Sequence, residues 1–243
     1  MPTIDDLLLE KKRYGLPETI SDDEKMKIEQ GMPVQYILGF INYSNLEIKL
    51  NRKVLIPRYE TDEMVHLITK KYLTKNMKVL DLCCGSGFIG LSLKKNEPSI
   101  SVVLSDIDDE AIIQTNENSK INFSDLSGIK IVKSDCFKEI KGKFDLIISN
   151  PPYVAYDDED AKNLSLTFEP KNAIFAPDNG WYFYQKIINE AGNYLNDNGL
   201  LIFEINPKHI DRWLKVKGVK ILKDMSNKYR FVFIKKDDLI VNN

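Results

Sequence analysis

Cysteine and histidine are scarce in this chain, and long apolar runs are missing altogether. Three cysteines in 243 residues, Cys83, Cys84 and Cys136, form no CxxC pair, which argues against a disulfide framework or a zinc knuckle and fits a reducing compartment. The two histidines, His66 and His209, read as structural side chains, so no metal is expected. The opening stretch MPTIDDLLLEKKRYG meets acid within five residues and holds a single run of three leucines. That is neither a signal peptide nor a membrane span, and the expectation is a cytoplasmic protein. An excess of one charge is absent too: 34 bases against 36 acids leave −2, with no general attraction for a phosphate backbone. What remains, 43% hydrophobic and 29% charged residues, describes an ordinary globule able to build a full core.

Residues 1–32 read as two short helices. Thr3 and Ser21 are candidate N-caps, Ser21 with Glu24 makes a capping box, and Gly15 and Gly31 stand where helices stop. This piece holds eight acids and five bases and is too small for a core of its own. FINYSNLEIKL (40–50) alternates around Ser44-Asn45 as a β-hairpin does, so 33–58 reads as a hairpin linker. From 59 to 243 short apolar runs alternate with helical stretches. KVLDLC (78–83), SVVLSD (101–106), IKIVKSD (129–135), FDLIISN (144–150) and LLIFEI (200–205) read as strands, with helices reaching about Asn122 and spanning Trp181 to Tyr194. VKILKDM and YRFVFIKK flank a turn at Ser226-Asn227. The pattern predicts an α/β, doubly wound, mostly parallel sheet with an antiparallel C-terminal strand pair, and a ligand crevice at the strand C-termini.

The first strand leads into Gly85-Ser86-Gly87-Phe88-Ile89-Gly90, a GxGxxG turn, and Asp106 stands near the offset of an acid that binds ribose hydroxyls. A dinucleotide is one reading. Asp81 favours another, because a carboxylate at the strand end would repel a pyrophosphate yet suit a ligand carrying an ammonium and a sulfonium. S-adenosylmethionine is such a ligand, leaving S-adenosylhomocysteine as product. Its amino-acid end is expected along Asp81, Cys83, Cys84, Gly85, Ser86 and Gly87, its ribose at Asp106, and its adenine near Asp135 and Cys136. No basic group or histidine adjoins Cys83 or Cys84, so they read as small loop residues and not as nucleophiles.

FDLIISNPPYV (144–154) ends a core strand on a stiff corner. Pro151 and Pro152 supply no N–H and fix φ. The Asn150 side-chain oxygen and the Pro151 carbonyl are two acceptors on one bend, and Tyr153 adds an aromatic face. Together they suit a planar NH₂ group, one hydrogen to each oxygen, with the nitrogen lone pair aimed at a methyl donor. That planar amine is either a side-chain amide or the exocyclic amine of a flipped base.

The flanks separate the two. PVQYILGF (33–40), VLIPRYETDEMV (54–65), DLCCGSGFIGLSL (81–93), FDLIISNPPYV and FEPKNAIFAPDNGWYFY (168–184) together resemble the HemK/PrmC family, the glutamine methyltransferases of peptide chain release factors. The resemblance implies a Rossmann-like class I methyltransferase that modifies a glutamine in a release factor's GGQ loop. It further implies that Asn150 and Pro151 accept from the glutamine NH₂, that Tyr153 packs on its plane, and that Arg58, Glu60 and Thr61 sit at the active-site rim. Here Tyr59 replaces the family's usual proline, Cys83 its first loop glycine, Ile205-Asn206-Pro207 an isoleucine-glycine, and the N-terminal helical segment is shorter. Residues 154–179, beside the expected target, hold six acids (Asp157, Asp158, Glu159, Asp160, Glu169, Asp178) and two bases (Lys162, Lys171). A local −4 suits a basic protein target better than nucleic acid. Trp181 to Tyr184 read as core and lid packing, and Glu169-Pro170 as a brace over the clamp.

Overall fold

A computed structural model describes residues 1–159 and 164–239 of the chain; Asp160 and Lys162 of the acidic loop lie outside them. Helices α1 (Ile4–Arg13) and α2 (Asp22–Glu29) start on Thr3 and Ser21. Each cap side chain accepts from the third helical N–H while the acid there, Asp6 or Glu24, returns to the cap backbone. With α3 (Val34–Leu38) they bury three apolar side chains, Leu7, Ile28 and Val34, in a small cluster of their own. The segment leans on its neighbours in the chain: Arg13 donates to the Tyr59 hydroxyl at 2.7 Å, and the Tyr14 ring meets Phe40 at 5.1 Å.

Strands β1 (Phe40–Tyr43) and β2 (Leu46–Lys49) form the hairpin, turning through positive φ at Ser44 and Asn45. Its apolar face is part of the main core: Ile41, Leu46 and Ile48 are packed in one cluster with Met64, Leu91 and Leu104. Helix α4 (Tyr59–Lys71), which the sequence pattern did not suggest, comes directly after the linker.

The central sheet alternates with helices: β3 (Lys78–Leu82), α5 (Phe88–Asn96), β4 (Ser101–Asp106), α6 (Asp109–Asn122), β5 (Ile129–Lys133), β6 (Phe144–Ser149), α7 (Lys171–Ile174), α8 (Tyr182–Ala191), β7 (Leu195–Glu204), α9 (Ile210–Trp213), β8 (Lys220–Lys223), β9 (Tyr229–Lys235) and α10 (Lys236–Leu239). Spatial order is β5-β4-β3-β6-β7-β9-β8, with β9 antiparallel to both β7 and β8 and every other pair parallel. Alternate strand residues feed opposite faces, as a period of two requires: Leu146, Ile148 and Ile202 join the hairpin side, and Ile147, Leu201 and Phe203 the face covered by α8 and Trp213. Chain order reverses between β3 and β6, which opens a crevice beyond their C-terminal ends. Leu82 pairs with Ser149, whose hydroxyl donates to the Leu82 carbonyl at 2.8 Å. The chain therefore leaves the two strands side by side, at Cys83 and Asn150.

Close helix-to-sheet contact depends on Gly90 of α5, where a Cβ would fall 2.8 Å from Leu104 Cδ2 and 3.0 Å from Val102 Cγ2. Gly90→Ala is expected to destabilise the fold by about 1–3 kcal/mol through overpacking, against the helix preference for alanine. A urea denaturation midpoint at or above wild type would contradict this.

Candidate active site

Beyond the strand ends lies a crevice of about 690 Å³, a volume suited to a nucleoside-sized ligand. Its floor is the loop after β3. Cys83 sits at φ +58°, a left-handed conformation that costs a side chain about 1–2 kcal/mol. At Gly85, φ +54°, an added Cβ would meet no atom within 4 Å; the backbone there is open to the crevice, and Gly85, Ser86, Cys83 and Cys84 all line it. Gly87 instead faces α6, where a Cβ would fall 2.8 Å from Thr115 Cγ2. Burial pushes the Cys83 and Cys84 thiols well up, away from nucleophilic thiolate chemistry.

Asp106, at the end of β4, accepts from the Gly85 N–H at 2.9 Å and the Asp108 N–H at 3.0 Å while still lining the crevice. Its carboxyl is shifted up, by burial first. Asp135 and Cys136 line the far end, and Lys186 of α8 holds Asp135 at 2.6 Å. Apolar walls come from residues that sequence reasoning did not single out as ligand contacts: Leu55, Phe88, Ile107 and, from the aromatic run of α8, Tyr182 and Phe183. The same run sends Trp181 and Tyr184 into the core.

Asp81 corrects the expectation that placed it against the ligand. It is fully buried beneath the loop and does not line the crevice. One oxygen accepts from the Gly90 N–H at 2.8 Å; the other is buried without a hydrogen-bond partner among the described residues. Burial, opposed by the Gly90 bond and aided by Asp106, pushes its carboxyl up to about 7. Gly87 is likewise spent on helix packing.

Arg58 and Glu60, expected at the rim, flank the crevice-lining Pro57 and Thr61 with their charges directed to other side chains. Arg58 is ion-paired to buried Glu169, which also accepts from the Ile56 N–H at 2.9 Å. This brace joins the two walls formed by 53–57 and 170–173. Glu60 turns towards Arg230 at 3.9 Å. From this segment Pro57 and Thr61 reach the crevice.

Asn150 and Pro152 line it from the β6 side; Pro151 is buried, and Tyr153 faces inward, its hydroxyl donating to Glu204 at 3.3 Å and its ring parallel to Tyr184. The Asn150 amide nitrogen donates to the Thr61 hydroxyl at 3.5 Å. The corner is anchored beyond Tyr153. Val154 exchanges backbone bonds with Ile174 and Ala176 at 2.9 Å, and the Asn206 side chain donates to the Tyr153 carbonyl at 3.5 Å. Asn206 thus tethers the corner. Gly180 (φ +85°) passes so close that a Cβ would fall 2.2 Å from that carbonyl. The acidic loop is less negative in effect than its composition: Asp158, Asp178 and Glu169 pair with Lys208, Arg212 and Arg58.

The methyltransferase small domain family matches residues 59–169. A release factor glutamine methyltransferase of Streptococcus pneumoniae (strain R6) is 38% identical over 232 residues, covering 89% of this chain and 82% of that protein. The chain belongs to the release factor glutamine methyltransferase family. A ribosomal protein uL3 glutamine methyltransferase of Francisella tularensis is 36% identical over 71% of this chain and 56% of its own length. A crystallised methyltransferase of Pyrococcus furiosus shares the fold, with a TM-score of 0.57 at 18% identity over 89% of this chain and 99% of that one. The methyl donor of such a family is S-adenosylmethionine, and the crevice fits it. Gly85 leaves room for close approach, and Asp106 offers carboxylate acceptors at the crevice.

Two outcomes are expected. A carboxyl whose folded pKa is raised contributes full stability below its unfolded value near 3.9 and loses it as pH climbs to about 7, a difference of up to about 4 kcal/mol for Asp81. Asp81→Asn keeps an acceptor for Gly90 and should therefore gain on wild type in melting temperature from pH 5 to pH 8; a gap independent of pH would contradict the buried carboxyl. Gly180→Ala should lower the melting temperature and turnover together, since the Tyr153 carbonyl must move; unchanged turnover would show that the corner is not held there.

Proposed function

We propose that the chain transfers a methyl group from S-adenosylmethionine to the side-chain amide nitrogen of a glutamine in the GGQ loop of a peptide chain release factor, in the cytoplasm. The reading is carried by the corner after β6: Asn150 at the crevice with its NH₂ turned to Thr61, which leaves its oxygen as the acceptor for an incoming amine.

An amide nitrogen is a poor nucleophile because its lone pair is delocalised into the carbonyl. Asn150 Oδ1 and the Pro151 carbonyl would each accept one hydrogen of the substrate NH₂. That orientation sets the lone pair towards the donor, and such positioning supplies several kcal/mol. The two acceptors bind more tightly as positive charge develops on nitrogen, which lowers the barrier and not merely the ground state. The bound cofactor supplies an electrophilic methyl on a sulfonium sulfur. Cys83 to Ser86, Asp106, Asp135 and Cys136 would hold it. No side chain need act as general base, because the nitrogen can release its proton after transfer. Tyr153, expected to pack on the amide plane, instead has its hydroxyl on Glu204 and its ring along Tyr184, and supports the corner from behind.

The substrate assignment rests on family membership, and the relative named a ribosomal protein uL3 glutamine methyltransferase makes uL3 the competing protein substrate to test. Incubation with methyl-labelled cofactor and, separately, release factor, uL3, RNA and DNA tests it, with mass spectrometry of the labelled peptide. Label on the GGQ glutamine is expected, and label in nucleic acid alone would overturn the reading. Asn150→Ala should keep cofactor affinity and lower turnover by about a hundredfold or more; unchanged turnover would remove the clamp.

A further inference from the structure

Glu204, the last residue of β7, is a carboxylate at 1% exposure inside the strand LLIFE. One of its oxygens accepts from the Thr61 hydroxyl at 2.7 Å, the other from the Tyr153 hydroxyl at 3.3 Å. Its backbone carbonyl accepts from Tyr184 at 3.2 Å. It thus binds the first turn of α4, the corner after β6 and helix α8 at one point. Burial raises its carboxyl pKa, while the Thr61 bond and Arg230 act to lower it.

The chemistry of these groups gives the bonds a direction. Both Glu204 oxygens accept from hydroxyls, so the single Thr61 hydroxyl proton is committed to Glu204. The Thr61 oxygen can then only accept from Asn150, and does so from Nδ2. Asn150 is thereby turned with nitrogen inward and oxygen towards the crevice. If a donor replaced the carboxylate, Thr61 would be free to donate to Asn150 Oδ1. The amide would then present N–H groups to a substrate that is itself an N–H donor.

We propose that Glu204, acting through Thr61, is a positioning pair that fixes the Asn150 side chain with its acceptor oxygen facing the substrate amide. This rests on the glutamine-methyltransferase reading above. Neither residue touches the reacting atoms in this role. Thr61 lines the crevice, and Glu204 lies one bond behind it.

The test compares Thr61→Val, Thr61→Ser, Glu204→Gln and Asn150→Ala with wild type on the release factor. Thr61→Val keeps the shape of the side chain and removes the hydroxyl. Its turnover should fall about tenfold, the worth of one hydrogen bond, with cofactor affinity unchanged, and Thr61→Ser should restore most of it. Glu204→Gln, which lets an N–H face Thr61, should lower turnover at least as far. An activity-free readout accompanies these: the ¹⁵N side-chain amide signal of Asn150 should move in Thr61→Val and Glu204→Gln and stay near wild type in Thr61→Ser. If Glu204→Gln fails to fold, Thr61→Val carries the result alone. Full turnover and an unmoved Asn150 signal in folded Thr61→Val, with Asn150→Ala inactive, would overturn the positioning pair and leave the clamp standing. An active Asn150→Ala would instead remove the clamp, and a moved signal would then still show that Thr61 orients the amide.

Discussion

A carboxamide has a donor end and an acceptor end of nearly equal size, so its chemistry at a site depends on which end its neighbours take up. At Asn150 the hydroxyl of Thr61 takes the donor end. Everything expected of the crevice as a methyl-transfer site requires the acceptor end to remain, because the group to be held is an amide nitrogen with two hydrogens. The sheet provides the setting. Parallel pairing of β3 with β6, in register from Val79 with Leu146 to Leu82 with Ser149, delivers the glycine loop and the Asn-Pro-Pro corner side by side at the point where chain order reverses.

Around that corner the structure places short, long-range ties and not a large domain interface. The Glu169 brace to Ile56 and Arg58, the Asn172 bond to Asp108 at 2.7 Å and the bridge from Val154 to Ala176 each fasten one crevice wall to another. The buried Glu169 carboxylate would be costly unless satisfied, and its two bonds also set a distance across the crevice. Asp81 shows the complementary case. Its carboxyl, suggested by position as a partner for a cationic ligand, lies under the loop with one oxygen lacking a hydrogen-bond partner among the described residues, so it shapes the turn into α5 through Gly90 and does not line the crevice.

The strands and the two motifs were legible because each is local. Period-two apolar runs, a glycine turn and a proline-stopped strand are properties of a few adjacent residues. β7 begins earlier than its apolar run suggested, at Leu195, since Leu195 pairs with Phe144 across a register shift. The contacts that orient the site were not legible. Thr61 and Glu204 are 143 residues apart and Arg58 and Glu169 are 111 apart, and periodicity reports the face of one element without naming what it meets. A signal for Glu204 did exist: an acid in the otherwise apolar run LLIFEI must be paired if buried. Arg58, by contrast, sat in a family motif that suggested the rim, and only the tertiary fold shows its charge spent on Glu169.

Strand-end acceptors that hold a flat amide nitrogen are the centre of this account. A crystal structure of the complex with S-adenosylhomocysteine and a GGQ-containing release factor domain measures them directly. Asn150 Oδ1 and the Pro151 carbonyl should each lie about 2.8–3.1 Å from the glutamine side-chain nitrogen, with that nitrogen facing the sulfur. A glutamine bound elsewhere, or one whose carbonyl oxygen meets the Asn150 NH₂, would contradict it.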